Sequence, residues 1–184
     1  CTIARGNGRE CGLAGWSEAH FAAHRERGSP AYWLAFDPET LARHARLVRR
    51  AEAEGEALAL DSRVDGRRGV TEVTVYTADR PGLFARLAGG IALAGATVAD
   101  ARIFTLKNGK ALDSFSIQDA EGGPFDRPDK LARLAAKLAL ALEGDGEALR
   151  DLDRQLSVVP SRLSVFTVAP RVLIDNGASA GHTV

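Results

Sequence analysis

Apolar and polar positions change rhythm near residue 70. Over residues 71–77 they alternate, with Val73 and Val75 on one face and Glu72, Thr74 and Tyr76 on the other, which predicts a strand. Asp79-Arg80-Pro81-Gly82 predicts a turn leading into a helix. Its buried stripe is Leu83, Leu87 and Ile91, flanked by Phe84, Ala88 and Ala94, with Gly95 as the stop. Residues 98–106 read as a second strand and residues 112–118 as a third. Between them Asn108-Gly109 predicts a type I′ hairpin turn, in which both central residues have φ > 0. Gly122-Gly123-Pro124 breaks the pattern. Asp126-Arg127-Pro128 then opens a helix with Leu131, Leu134, Leu138 and Leu142 inward, interrupted at Gly144 and Gly146; a short helical stretch around 149–156 continues it. Two β-rich runs follow Pro160, at 163–168 and 171–175, and the second is assigned as the fourth strand.

The order β-α-β-β-α-β, with right-handed crossovers, predicts an α+β fold: a ferredoxin-like plait with two helices on one face of a four-stranded antiparallel sheet, over residues 70–176. Upstream the rhythm is helical. Ser17 fits an N-cap, with Trp16 and Phe21 at staple spacing, and Gly28 ends that helix. Ser29-Pro30 starts a short second helix with Tyr32, Trp33, Leu34 and Phe36. Asp37-Pro38-Glu39 starts a third, with Leu41, Ala45 and Val48 on one stripe and Arg43, Arg46, Arg49 and Arg50 largely outside it. Residues 16–53 therefore read as the helical tail of an upstream domain and 1–15 as a disordered Gly/Arg-rich leader. Residues 54–69 suit a linker or the edge of a hairpin.

Composition narrows the partners. Lys plus Arg and Asp plus Glu both number 24, and a nucleic-acid binder acting through phosphate neutralisation would carry a basic excess. No nucleic-acid partner is expected. No apolar run approaches the roughly 20 residues that span a bilayer, so no membrane partner is expected either. Cys1 and Cys11 have no metal-type spacing, which predicts a reduced, cytoplasmic protein. The 184 residues contain no methionine, and the expectation is a piece of a longer protein.

Plaits host several functions, so the loops must discriminate. The glycine- and base-rich signature of RNA-recognition plaits is missing, and so are paired cysteines for a metal cargo. The first loop carries Asp79-Arg80-Pro81-Gly82-Leu83-Phe84. Amides and the positive dipole end at a helix start attract a carboxylate, Gly82 permits close backbone approach, and Asp79 can accept from an ammonium or carboxamide. That chemistry suits a small zwitterion. A plainer reading stays open, in which Asp79 only caps the helix and Pro81 only sets its first turn.

The loop, followed by Ala94-Gly95-Ala96-Thr97-Val98, resembles the ACT domain of amino-acid-responsive enzymes. Thr71-Glu72-Val73-Thr74-Val75-Tyr76-Thr77, Asp100-Ala101-Arg102-Ile103-Phe104-Thr105, Ala111-Leu112-Asp113-Ser114-Phe115, Pro124-Phe125-Asp126-Arg127-Pro128 and Pro170-Arg171-Val172-Leu173-Ile174-Asp175-Asn176 carry a tighter likeness. They are similar to the C-terminal part of bacterial bifunctional uridylyltransferase/uridylyl-removing enzymes acting on the PII nitrogen-signal protein. Pro30-Ala31-Tyr32-Trp33-Leu34 with Trp16 resembles the segment before the first ACT domain of that family. The resemblance implies that 16–53 ends an HD-type domain, 70–176 is an ACT domain and 177–184 begins a second one. It implies glutamine as ligand, PII as the parent's partner, and a second ACT domain as neighbour. Ligand-binding positions are then Asp79, Arg80, Pro81, Gly82, Leu83 and Thr97. Many ligand-binding relatives place Asn where Thr97 stands; Thr keeps a hydroxyl without the amide's paired donor and acceptor. The nucleotidyltransferase and phosphohydrolase chemistry, with its Mg²⁺, is implied for the parent only, and no catalytic residue, cofactor or metal is expected within this chain.

The remaining candidates carry less. His20 and His24 are four apart on a predicted helix, without a third ligand at suitable spacing, and read as a solvated or packing pair. His44, among arginines, reads as a surface residue. Asp113, Ser114 and Ser116 lie within a strand with no histidine nearby in sequence, and the run from Arg43 to Arg50 reads as a solvated face. The alternative function is a structural or oligomerising ACT domain of another amino-acid-responsive enzyme.

Overall fold

The computed structural model describes residues 17–143. Three helices come first: α1 (Glu18–Arg27), α2 (Pro30–Ala35) and α3 (Pro38–Glu54). Each begins as the sequence predicts. Ser17, Ser29 and Asp37 are N-caps whose side chains accept from the amides of His20, Tyr32 and Thr40, which satisfies donors that a helix start leaves open. Gly28 ends α1 and is tightly enclosed: a Cβ there would lie 2.6 Å from Tyr32 and 2.7 Å from Trp33.

Strands β1 (Leu58–Asp65) and β2 (Val70–Ala78) form an antiparallel hairpin, then α4 (Leu83–Leu93), β3 (Thr97–Arg102), β4 (Lys110–Gln118) and α5 (Pro128–Glu143) follow. All pairings in the four-stranded sheet are antiparallel, in the order β1-β2-β4-β3. Residues 54–69 thus resolve as the hairpin edge rather than the linker. Asp65 drives the turn by accepting from the amides of Arg67 and Arg68, and Gly69 takes the positive φ that closes it. β1 lies beside β2 on the side away from β4. The order over the described residues is therefore β-β-α-β-β-α. The leader, Trp16, the stretches 149–156, 163–168 and 171–175, and the onset at 177–184 lie outside the described residues.

Both faces of the sheet are covered. Val73 and Val75 on β2 and Ala111, Phe115 and Ile117 on β4 pack under Leu83, Leu87 and Ile91 of α4 and Leu134 and Leu138 of α5. Tyr76 and Leu112 point to the opposite face and meet Leu41, Leu47 and Val48 of α3 and Tyr32 of α2. The upstream helices are thus a layer on the sheet, not merely a tail beside it. Gly90 lets α4 and α5 approach closely, since a Cβ there would stand 3.1 Å from Leu138 and 3.2 Å from the Lys137 carbonyl. The two helix ends are tied reciprocally: Arg133 donates to the Ala94 carbonyl, and Arg86 to that of Ala141.

Two further expectations change. The β3–β4 turn is not type I′, because among the described residues no non-glycine residue has positive φ. Gly109 alone does; its N–H donates to the Leu106 carbonyl at 3.0 Å while the Leu106 N–H donates to Lys110. A three-residue loop with glycine in the left-handed position fits that pattern. The strand expected over 98–106 ends at Arg102, with a bulge between Val98 and Asp100 and one isolated bridge from Thr105 to Ala111. At Phe104 only half of the ladder is kept: its carbonyl accepts from the Leu112 N–H at 2.8 Å, while its own N–H goes to the Asp113 carboxylate.

Candidate functional site

The loop singled out by sequence leaves the end of β2 and enters α4. The Asp79 N–H donates to the Gly109 carbonyl at 3.1 Å, and its carboxylate accepts from the Thr105 hydroxyl at 2.6 Å. Asp79 therefore does not cap α4. Gly82 is the N-cap residue, with φ of 76°, and no side chain caps that first turn. The Leu83 N–H turns back to the Arg80 carbonyl. Arg80, Pro81 and Gly82 are exposed while Leu83 is buried in the core, and Phe84 stays half-exposed, stacked 6.0 Å from Phe115. The Arg80 guanidinium donates to the Leu142 carbonyl at the end of α5, so in this arrangement it holds a helix terminus.

Thr97 lies elsewhere. Ala78 pairs with Lys110, whereas Thr97 pairs with Gln118 eight positions further along the same strand. At roughly 3.4 Å per residue the two ends stand about 27 Å apart. A single unit gathers Asp79, Arg80, Pro81, Gly82 and Leu83 but does not bring Thr97 to them.

Asp113, which the sequence presents as a strand residue with no histidine nearby, has a burial that spacing did not indicate. It belongs to the inward row of Ala111, Phe115 and Ile117 and is fully buried. One carboxylate oxygen accepts from the Phe104 N–H at 3.3 Å; the other has no hydrogen-bond partner. Burial pushes its pKa up to about 6, the Phe104 N–H pulls the other way, and the nearby Asp79 charge adds to the rise. The legible signal was a charged residue at a core-facing position of an otherwise apolar alternation.

His44 corrects a second expectation, being buried instead of on the surface. Tyr32 Oη lies 3.1 Å from its Nδ1, and Ser114 Oγ and Thr74 Oγ1 lie 3.3 and 3.4 Å from its Nε2. A neutral ring serves these partners when one nitrogen donates and the other accepts. Burial, then the Arg43 and His24 charges, lower its pKa to about 3 against an opposing pull from Asp37. The polar cleft above this network holds only about 20 Å³, room for one water.

His20 reaches back to the Ser17 N–H in a capping box, and buried His24 meets the Trp33 ring edge-on at 5.5 Å. Among the described residues no cluster of three or more His, Cys, Asp or Glu side chains could hold a metal ion. The arginine run is only partly a solvated face. Arg43 pairs with Asp61, and Arg50 donates to the Leu60 carbonyl, tying α3 to β1.

Comparison with known proteins bears on what this arrangement serves. No protein-family model matches the chain. It is 50% identical over 173 residues to a bifunctional uridylyltransferase/uridylyl-removing enzyme of Azospirillum brasilense, a match covering 94% of the chain. Enzymes of the same description from Rhodospirillum rubrum and Gluconobacter oxydans are 44% and 43% identical over 94% and 85% of the chain. The chain is homologous to a segment of these enzymes. That segment spans only 17–18% of their length. The aligned segment takes in the helical layer, the sheet and the loop together, since it covers nearly the whole chain. Among the described residues no helix is long and apolar enough to cross a membrane.

Proposed function

We propose that this chain is the glutamine-sensing regulatory part of an enzyme that uridylylates and deuridylylates the PII signal protein in the cytoplasm. The observation that carries the reading is the 79–83 loop: an α4 start with no side-chain cap, a left-handed Gly82 and an adjacent carboxylate, Asp79. Open amides and the dipole's positive end receive the ligand's carboxylate, and Asp79 receives its ammonium or carboxamide. The homology to uridylyltransferase/uridylyl-removing enzymes and the antiparallel sheet with α4 and α5 on one face support placing the loop in a ferredoxin-like ACT domain. Catalysis, with its Mg²⁺, belongs in this reading to other parts of the parent enzyme. The helices α1–α3 are the end of an HD-type domain.

The distance from the loop to Thr97 shapes the proposal. β3 is an edge strand. If a second unit of the same kind pairs antiparallel along that edge, its Thr97 position comes to the Arg102 end, on the side of the sheet where the 79–83 loop lies. The complete site is then shared by two ACT units. Isothermal titration with glutamine, on this chain and on a longer chain that includes the following unit, tests this. Heat from the longer chain alone supports a shared site; no heat from either at millimolar glutamine sinks the reading.

A second reading has its own observation: Asp79 and Arg80 are both engaged internally, by Thr105 and Leu142. A structural or oligomerising ACT domain needs no more than that. Asp79→Ala separates the two, since lost assembly favours structure, whereas lost glutamine response with intact assembly favours sensing.

A further inference from the structure

The β3–β4 connection touches the candidate loop on one side and the helical layer on the other. Toward the loop, Thr105 donates to the Asp79 carboxylate, and the Gly109 carbonyl accepts from the Asp79 N–H. Toward the helices, the Lys107 N–H donates to the Arg27 carbonyl at the end of α1, 3.0 Å away. Asn108 Nδ2 donates to the Tyr76 hydroxyl at 3.2 Å, which donates to Glu52 Oε1 of α3 at 3.1 Å. Arg27 closes the ring by donating to Glu52 Oε2 at 2.8 Å. Tyr76 is buried and its hydroxyl pKa is raised by burial, so it stays a donor. Four residues of one turn, Thr105, Lys107, Asn108 and Gly109, thus connect Asp79 with α1 directly and with α3 through Tyr76.

We infer that residues 105–109 are the element through which the state of the 79–83 loop is communicated to α1 and α3. This rests on the sensing reading and adds its route of regulation. A ligand cation at Asp79 competes with the Thr105 hydroxyl for the same carboxylate. Releasing Thr105 loosens the turn, and the turn's hold on Arg27 and Glu52 changes with it. Regular β3 pairing ends at Arg102; beyond it the Thr105 bridge, the Leu112 N–H to the Phe104 carbonyl and the Leu106 N–H to the Lys110 carbonyl tie this segment to β4, fewer bonds than a continuous ladder supplies. Contiguity alone does not establish coupling, so the test must read the far end.

Amide hydrogen exchange on the full chain does so, followed at Lys107 for the α1 link and at Glu56, whose N–H donates to Ala51 at the end of α3. Thr105→Val removes the side-chain tie between loop and turn without ligand and leaves the backbone bond from the Asp79 N–H to the Gly109 carbonyl. The expected result is exchange at least about fivefold faster at both amides, with Val73 and Phe115 in the sheet unchanged. Adding Asn108→Ala, an exposed change that leaves the core intact, is expected to abolish the Thr105→Val effect at Glu56 while keeping it at Lys107. No change at either amide, or a uniform rise that includes Val73 and Phe115, overturns the inference. With glutamine added to the longer chain that includes the following unit, a change at both Leu83 and Lys107 supports the route. A change at Leu83 alone overturns the route and leaves the sensing reading standing. No change anywhere sinks sensing, and the Thr105→Val result then decides the coupling by itself.

Discussion

The Thr105 hydroxyl lies 2.6 Å from the Asp79 carboxylate, and this bond joins two segments 26 residues apart in the chain. It explains why Asp79 does not cap α4 and why the β3–β4 connection follows the loop. Thr105→Val removes a charge-assisted bond at an exposed site, so a loss of about 1 kcal/mol is expected from urea unfolding. An unchanged midpoint would mean that water replaces the hydroxyl without cost.

Stability should depend on pH through two opposing kinds of group. Burial and the nearby arginine charges hold His44 at about 3 and His24 at about 4, both below the ordinary 6.5. Each is neutral when folded and takes up a proton on unfolding, so its contribution is full above about 6.5 and is lost as pH falls toward 4. Asp113 has the reverse sign. Its pKa rises from 3.8 to about 6, so its contribution is full below 3.8 and is lost as pH climbs through 6. Each group contributes a slope of up to about 1.4 kcal/mol per pH unit within its window. The unfolding free energy of the wild type is expected to rise from pH 4 to 6.5; His44→Gln flattens that rise and Asp113→Asn steepens it. Urea titrations at several pH values decide, and a parallel Asp113→Asn profile would contradict the burial of an ionisable carboxylate.

Tyr32→Phe isolates the polar network between the helical layer and the sheet. The ring, which packs on Phe36 and Phe104, is kept, while His44 Nδ1 loses its 3.1 Å partner in a buried site. A cost of about 1–3 kcal/mol is expected, the penalty of an unsatisfied buried polar atom. Thermal unfolding measures it, and a change below the error of the method would imply that a water takes the hydroxyl's place.

Gly90→Val probes the α4–α5 contact. The added carbons meet Leu138 and the Lys137 backbone at distances that require the helices to part. A loss of about 2 kcal/mol is expected even though valine favours helix slightly more than glycine does. Gly66, which has open space around it, serves as the comparison: Gly66→Ala should leave the midpoint nearly unchanged.

Much of the fold was legible because its signals are local. Ser17, Ser29 and Asp37 marked helix starts through bonds that each residue makes within three positions. The alternation of Val73 and Val75 with Thr74 and Tyr76 showed two faces of a strand. The β1 hairpin was half-visible in the glycines at 66 and 69, yet polar Asp61, Ser62 and Arg63 masked its strand pattern. Those residues sit on an edge strand, where Asp61 and Arg63 pair with Arg43 and Glu39 from α3, so no apolar pattern was needed.

The sequence by itself determined the helices and the caps of α1–α3, the strands β2 and β4, and the Asp79-Arg80-Pro81-Gly82-Leu83 loop at a helix start, because spacing along the chain controls which backbone groups and faces meet locally. Only the tertiary structure decided what those side chains touch. It set Asp79 against Thr105, Arg80 against Leu142, Asp113 in the core and His44 under Tyr32, and it left Thr97 at the far end of the sheet. Such relations join residues far apart in sequence, and they depend on strand register and on which face a helix covers. Residue spacing alone carries neither.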